Sequence, residues 1–560
     1  MKRIFINFLV FLFCLSCFAQ TVFKFDDFHK DSADGFQTMA DILKLVEAQN
    51  GKLCIIEMSP KIYVFGKSEK YGAFLSLKNI KNLIIDGKGA KIIYHRHNNF
   101  CVGTRCENVV VKNFDASMNK VAFTQGDIVD VLEDHFVFVI DKGYPFPPTH
   151  EFTMKNFPDQ KWRWGSVMNR KKRAIKEDFS DHIFMDKVEK INGRKFKVYP
   201  RKDYLKYMSK IVIGDVWVMP VYKEINKNFG AENYTVSFVL SKDVLVENVK
   251  ISATRHAGFA GANNEGKITF RNCTLTWREG SKDMISSWRD GSHFKNNKIG
   301  PTLENCVFEG MLDDAINISA APAFVTKKIN ETTYMMRRTS FFEGNDIALM
   351  YGQSGKWVEG FKAKKGSVGL KLCVDKPIDF TMWQEISNYD IVSGNSRKNS
   401  KATQFFNMSY INNGFAIRNC KFGVQRRYSM IIRAHNGIIE NNTITGGTGI
   451  MIANEFGSWF EGPLPHNIVI KNNVVKSPVA RNPFTIAGNF PAKTKTDFNF
   501  NITAENNTVY FNPKMKYVGI LVRDCKGIKL ANNTFFDLLK NPLDAKKSVY
   551  VSNATDIQIK

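Results

Sequence analysis

Beyond residue 19 the chain holds eight cysteines, and no two of them stand at the C-x-x-C spacing that a zinc site or a redox pair uses. It has no long basic run and no zinc or helix-turn-helix pattern, although 79 Lys and Arg residues face only 54 Asp and Glu residues. The resulting charge of +25 is spread through nearly the whole sequence, so it reads as a solvated basic surface rather than a nucleic-acid footprint. After the first nineteen residues no apolar stretch is long enough to cross a bilayer, which excludes an integral membrane protein of the helical kind.

What the chain has instead is a returning phrase of β-branched residues, a polar residue and an Asn. It reads Val109-Val110-Val111-Lys112-Asn113, Val244-Leu245-Val246-Glu247-Asn248, Ile268-Thr269-Phe270-Arg271-Asn272 and Thr302-Leu303-Glu304-Asn305. It resumes around Asn419, Asn441, Asn472, Asn506 and Asn532. The steps are 24 residues from Asn248 to Asn272, 22 from Asn419 to Asn441 and 26 from Asn506 to Asn532. Short strands ended by a residue that tolerates the left-handed region, at this period, predict an all-β solenoid, a parallel β-helix. The Asn residues are expected at the corners, each amide bonding to the Asn one coil away.

A second repeat runs about ten residues after each Asn. It reads Asp283-Met284-Ile285-Ser286-Ser287, Asp314-Ala315-Ile316-Asn317-Ile318, Ser429-Met430-Ile431-Ile432-Arg433, Thr448 to Ile452 and Val518 to Val522, and predicts a second stacked sheet. Cys273, Cys306 and Cys420 each follow a repeat Asn and fit as small apolar thiols in the solenoid core. Cys101 and Cys106 are a possible disulfide that the sequence leaves open.

Six segments follow. Residues 1–19 carry Lys2 and Arg3, an apolar run from Ile4 to Phe18 and Ala19 before Gln20, the pattern of an export leader. Soluble export to the periplasm or beyond is preferred to lipidation of Cys17, because Cys14 stands where the lipoprotein pattern wants a large aliphatic residue. Residues 20–119 start with Asp34-Gly35 and an amphipathic stretch, Phe36 to Ala48, suited to cap the first coil. The Asn phrase lapses over 120–232 and 322–410, where strand-like pieces such as Gly126-Asp127-Ile128-Val129, Gly214-Asp215-Val216-Trp217 and Asn345-Asp346-Ile347-Ala348 predict two related inserted β-barrels. Coils occupy 233–321 and 411–560.

The strongest chemical signal lies in the first of these coil blocks. Asp313 and Asp314 are adjacent, so their charges repel and one tends to keep its proton. Asp290 lies 313 − 290 = 23 residues earlier, about one coil, and coils stack about 4.8 Å apart. Three carboxyl groups therefore converge on one patch. Glycoside hydrolysis needs such a group, a protonated acid for the leaving oxygen and a carboxylate for the water or the anomeric carbon.

The coil phrases together with Trp288-Arg289-Asp290-Gly291 and Leu312-Asp313-Asp314-Ala315 look like a β-helical glycosidase. The Asp-Gly and Asp-Asp pair is similar to that of polygalacturonases, but the Gly-His-Gly and Arg-Ile-Lys motifs of that family are missing. The sequence more closely resembles glycoside hydrolase family 110. That resemblance covers nearly the whole mature chain. It implies a right-handed β-helix with two inserted barrels, an inverting exo-acting α-1,3-galactosidase, and catalysis by Asp290, Asp313 and Asp314 without metal or organic cofactor. By it, a galactose-terminated oligosaccharide or glycoprotein glycan, including the blood group B determinant, is the partner. Asp313 would be the general acid, with Asp290 and Asp314 activating the water.

Arg255, His256, Asn264, Trp288, Arg289, Arg433, His435, Glu455 and Trp459 stand near the ends of strand phrases and are secondary candidates for sugar binding. Trp288 or Trp459 would stack on the apolar face of galactose. A homodimer is possible. Two rivals remain: a polygalacturonase-like enzyme or a calcium-dependent lyase on acidic polysaccharide, which predicts basic residues beside the aspartates, and a non-catalytic glycan-binding β-helix, which predicts no dependence on them.

Overall fold

The computed structural model describes residues 20–30, 34–68, 72–147, 164–177, 179–221, 233–337, 341–351, 356–379, 403–455, 459–478, 481–490, 497–514 and 516–560. The leader expected over residues 1–19 lies outside these.

The coils stack as three parallel faces. The Asn phrase forms the first, with Val244 paired to Ile268, Ala416 to Ile438 and Ile502 to Ile528. The second begins just after the corner, where Lys250 pairs with Thr274 and Thr443 with Val474. The third holds eleven strands, among them Ala257–Ala262, Ser292–Lys295, Ile316–Ser319, Met430–Ile432 and Ile450–Ala453. Alternate residues such as Phe270, Leu275, Phe294 and Ile318 turn inward and are fully buried, which makes one continuous core.

All nine corner Asn residues have positive φ, from 53° at Asn272 and Asn532 to 62° at Asn113. Asn is the residue other than Gly that reaches this region at least cost, which is why the corner repeats it. The expected amide ladder runs from Asn305 to Asn272 (3.2 Å), Asn272 to Asn248 (3.0 Å) and Asn248 to Asn113 (3.0 Å). The next residue points inward and builds a second ladder. Cys273, Cys306 and Cys420 each donate Sγ–H to a backbone carbonyl of the preceding coil. In later coils Asn442, Asn473 and Asn507 take that place, linked Nδ2 to Oδ1 at 2.9–3.0 Å. Asn473 also donates to Ile439 O, so Asn473→Ala is expected to lower unfolding stability by about 2–3 kcal/mol in urea titration, through buried groups left unpaired.

One repeat assignment changes. Residues 283–287 do not enter the third face; its strand in that coil is Ser292–Lys295. The Asp283 carboxylate accepts from Arg278 at 2.8 Å and from the Tyr144 hydroxyl at 2.6 Å, which draws the segment toward the first insertion. Cys101 and Cys106 are buried free thiols.

The helix Gly35–Glu47 is capped by the Asp34 carboxylate, which accepts from Phe36 N at 2.9 Å. Its buried stripe of Phe36, Met39, Ile42, Leu43 and Val46 closes the first coil. No helix among the described residues is long and apolar enough to cross a membrane.

Each interruption leaves the stack continuous: Val109 pairs directly with Val244, and Leu303 with Ile417. In the first, six antiparallel strands, Phe123–Val131, Phe136–Ile140, Trp164–Asn169, Ile183–Asn192, Lys195–Pro200 and Val216–Pro220, pair in a closed ring. The first pairs with the second, the second with the fifth, then fifth with fourth, fourth with third, third with sixth and sixth with first. In the second interruption, Phe324–Asn330, Thr333–Arg337, Asp346–Met350, Trp357–Lys362, Lys371–Cys373 and Gln404–Asn407 follow the same cyclic order. There two of the links are single bridges, Ala363 to Val374 and Ala323 to Phe405. The two rings share one connectivity.

Candidate active site

The register of the third face assembles the site. Ser292 pairs with Ile316, and Ile316 with Met430. Counting back two residues from each strand start aligns Asp290, Asp314 and Tyr428; counting back three aligns Arg289, Asp313 and Arg427. Hydrogen bonds from Gly291 N to Asp314 O (2.8 Å) and from Ala315 N to Tyr428 O (2.9 Å) carry the alignment to the strand mouths. Gly291 is required here, because a Cβ would fall 2.7 Å from Ala315 O and 2.9 Å from the Phe308 ring.

Carboxylate oxygens of Asp290, Asp313 and Asp314 all lie within 4.8 Å of one another. Asp313 accepts from Arg289 Nη1 at 3.1 Å and from Arg426 Nη2 at 3.2 Å. Asp314 is buried and accepts from Tyr428 N at 3.0 Å. Asp290 lies 3.4 Å from His293 Nδ1, which also meets the Tyr234 hydroxyl at 3.1 Å.

These partners split the trio electrostatically. Burial pushes the Asp314 carboxyl well up, and the charges of Asp313 and Asp290 push it further. Burial would raise Asp313 as well, but Arg426, Arg289 and Arg427 outweigh it and hold Asp313 below the usual carboxylate range. Asp290 is raised, chiefly by burial, against the pull of His293. These surroundings favour the proton on Asp314 over Asp313, whereas the family resemblance implied Asp313 as the general acid. The cause is the arginine pair, which the aspartate spacing did not reveal. Spacing of this kind can gather a cation, with which the two guanidiniums on Asp313 would compete.

The first inserted barrel reaches into this site. Asp181, just ahead of its fourth strand, lies 3.4 Å from Arg426 Nη1, 3.2 Å from Arg427 Nε and 3.1 Å from Arg481 Nη2. Trp164, at the start of its third strand, stands 4.7 Å from the Arg426 guanidinium and 5.9 Å from Trp288. On the other side, residues 459–464 lie along the third face, bridged by Gly462 to Ala320, and set Glu461 against His293, Lys295, Asn317 and Arg433.

The secondary candidates divide. Arg289 is in the site. Arg433 borders it through Glu461. Arg255, one coil earlier, donates to His97 O at 3.3 Å. His256 is buried edge-on to Trp288 at 5.1 Å, and burial, then Arg289 and Arg255, push its pKa well down. Trp288 is itself buried beneath Arg289, so it cannot stack on a sugar. Asn264 belongs to a buried amide ladder with Asn297, and His435 bonds Leu464 O on another face; neither reaches the trio. The Glu455 carboxylate accepts from the backbone of Trp459 and Phe460, and Trp459 is exposed. Sequence reading missed Asp181, Trp164, Arg426, Arg427 and Glu461. Arg427 alone had a signal: its offset from the next strand is that of Asp313.

No family model matches the chain. It is 22% identical over 507 residues to the alpha-1,3-galactosidase A of Bacteroides thetaiotaomicron, covering 87% of this chain and 83% of that one. The alpha-1,3-galactosidase B of the same organism is 22% identical over 530 residues, covering 85% and 79%. These similarities support an assignment to glycoside hydrolase family 110. A further relative, the alpha-1,3-galactosidase B of Akkermansia muciniphila, is 22% identical and covers 77% of this chain and 54% of its own. Among solved structures, the catalytic unit of a GH87 alpha-1,3-glucanase from Streptomyces thermodiastaticus overlaps at a TM-score of 0.40 with 8% identity, covering 96% of this chain and 68% of that one. The exopolygalacturonase of Thermotoga maritima overlaps at 0.32 with 10% identity, covering 97% and 94%. Overlaps this loose carry nothing about the site.

Proposed function

We propose that this chain is an exported exo-glycosidase that hydrolyses terminal α-1,3-linked galactose by inversion. The reading is supported by one arrangement above all: a protonated Asp314 beside an ionised Asp313, in a chain whose relatives are named alpha-1,3-galactosidases. Asp314 gives its proton to the leaving oxygen. Asp313, kept ionised by Arg289 and Arg426, takes the proton of the attacking water, and Asp290, set by His293, orients that water. Inverting enzymes hold their carboxyl groups about 6.5–9.5 Å apart. In this trio one oxygen from each carboxyl lies within 4.8 Å of the other two.

Three arginines beside the aspartates also favour the rival reading, an acidic polysaccharide. Arg289 and Arg426 are committed to Asp313, however, and Arg427 to Asp181. One assay separates the readings: purified protein on α-1,3-galactosyl oligosaccharides and on oligogalacturonides, each with and without EDTA, followed by proton NMR. Release of β-galactose first, unaffected by EDTA, is the expected result. Action on oligogalacturonides alone, or activity abolished by EDTA and restored by calcium, would replace the galactosidase reading. α-Galactose as first product would make one Asp a nucleophile.

A further inference from the structure

We propose that Glu461 is a positioning residue that holds Lys295 as the hydrogen-bond donor of the galactose subsite and His293 against Asp290, an inference that rests on the glycosidase reading. The outward side chains of the third face beside the trio are His293 and Lys295 in one coil and Asn317 and Ser319 in the next, alternating with inward Phe294 and Ile318. Glu461 comes from a later coil and is buried, yet its carboxylate meets groups from three coils. It lies 3.6 Å from His293 Nε2, 3.2 Å from Lys295 Nζ, 3.2 Å from Asn317 Nδ2 and in a shorter contact with Arg433 Nη1. A single anion thus fixes the direction of each cation. His293 in turn faces Asp290 on its other nitrogen.

An independent observation points to a ligand here. Asn317 is only 6% exposed, and its Oδ1 has no hydrogen-bond partner among the described residues. A buried carbonyl oxygen left in this way costs stability unless something supplies a donor, and a sugar hydroxyl is such a donor. Lys295 and His293 retain partial exposure, 32% and 16% of their side chains, beside it. The strip therefore offers a donor, Lys295 Nζ, and an acceptor, Asn317 Oδ1, beside the His293–Asp290 pair, which suits the hydroxyls of one pyranose ring. The charge state agrees: Asp290 and Glu461 outweigh burial and raise His293, while Lys295 and Arg433 outweigh burial and hold Glu461 well below its usual range.

The test is inhibition by free galactose, read against an activated aryl α-galactoside, for the full chain and for Glu461→Gln, Glu461→Asp and Lys295→Met. Glu461→Gln is expected to weaken galactose inhibition at least about tenfold, the worth of one charged hydrogen bond, and to raise KM more than it lowers kcat. Glu461→Asp should recover part of the loss. Equal inhibition of Glu461→Gln and the unmodified chain overturns the proposal. Should Glu461→Gln fail to fold, Lys295→Met decides, since it leaves the Glu461–Arg433 pair in place: weaker inhibition at an unchanged Tm supports the subsite, and unchanged inhibition overturns it. An unmodified chain that neither cleaves the galactoside nor binds galactose would instead sink the function on which the proposal rests.

Discussion

Asp314→Asn is expected to lower kcat by about 10²–10⁴-fold on a natural α-1,3-galactoside, the usual worth of a general acid. The same variant should lose much less on an aryl galactoside with a very good leaving group, which needs little protonation. Its Tm at pH 7 should equal or exceed that of the unmodified chain. The sign follows from the raised Asp314 pKa: the folded state binds the proton more tightly than the unfolded one, so stability falls as pH rises from the ordinary carboxylate value toward the folded value. Asn removes that loss. Asp313→Asn and Asp290→Asn should lose comparable activity without rescue, and Asp313→Asn should also lose stability, because buried Arg289 and Arg426 lose the anion they share. Rescue of Asp313→Asn in place of Asp314→Asn would return the acid role to Asp313. Near-native turnover of all three variants would make the aspartates turn caps.

The second large effect concerns the inserted barrel. Asp181→Ala removes the carboxylate shared by Arg426, Arg427 and Arg481, and is expected to cost about 3 kcal/mol at neutral pH, as breaking a buried ion pair does. Asp181 is held well below its ordinary range, since His182, Arg426 and Arg427 outweigh its burial. Its contribution is therefore present above the unfolded value near 3.8 and is lost as pH falls toward the folded one. The cost of the substitution should accordingly shrink in urea titrations below pH 3.8. Activity should drop at least about tenfold, because Arg426, one of the arginines that keep Asp313 ionised, loses the carboxylate that holds it in place. Unchanged stability at both pH values would mean that the barrel docks without Asp181.

The deletion of either barrel asks a coarser question. Because Val109 pairs directly with Val244 and Leu303 with Ile417, the coils need neither insertion in order to stack. Loss of the first barrel would nonetheless take Trp164 and Asp181 away from the site, whereas Glu461 comes from a coil and would remain.

Much of this protein was legible along the chain because a solenoid turns sequence period into spatial contact. A corner Asn recurs with the coil, so all nine corners and the core stripe could be read directly from the sequence. The same arithmetic, a 23-residue step from Asp290 to Asp313, brought Asp290 beside the Asp313–Asp314 pair, and the register sets it opposite Asp314. It failed wherever contact does not follow the period. Asn264 and His435 also flank strand phrases, but one is consumed by an amide ladder and the other lies on another face. Trp288 sits next to Arg289 in sequence yet points into the packing against the barrel. Asp181 meets Arg481 across 300 residues, and Glu461 meets Lys295 across 166. No local pattern records either meeting. Local period and backbone preference thus determined the coil, its corners and the membership of the aspartate trio. Only the tertiary structure bears on which aspartate is favoured to keep its proton, because that depends on buried charges delivered by a barrel and by a later coil, and electrostatic energy follows distance in space rather than distance along the chain.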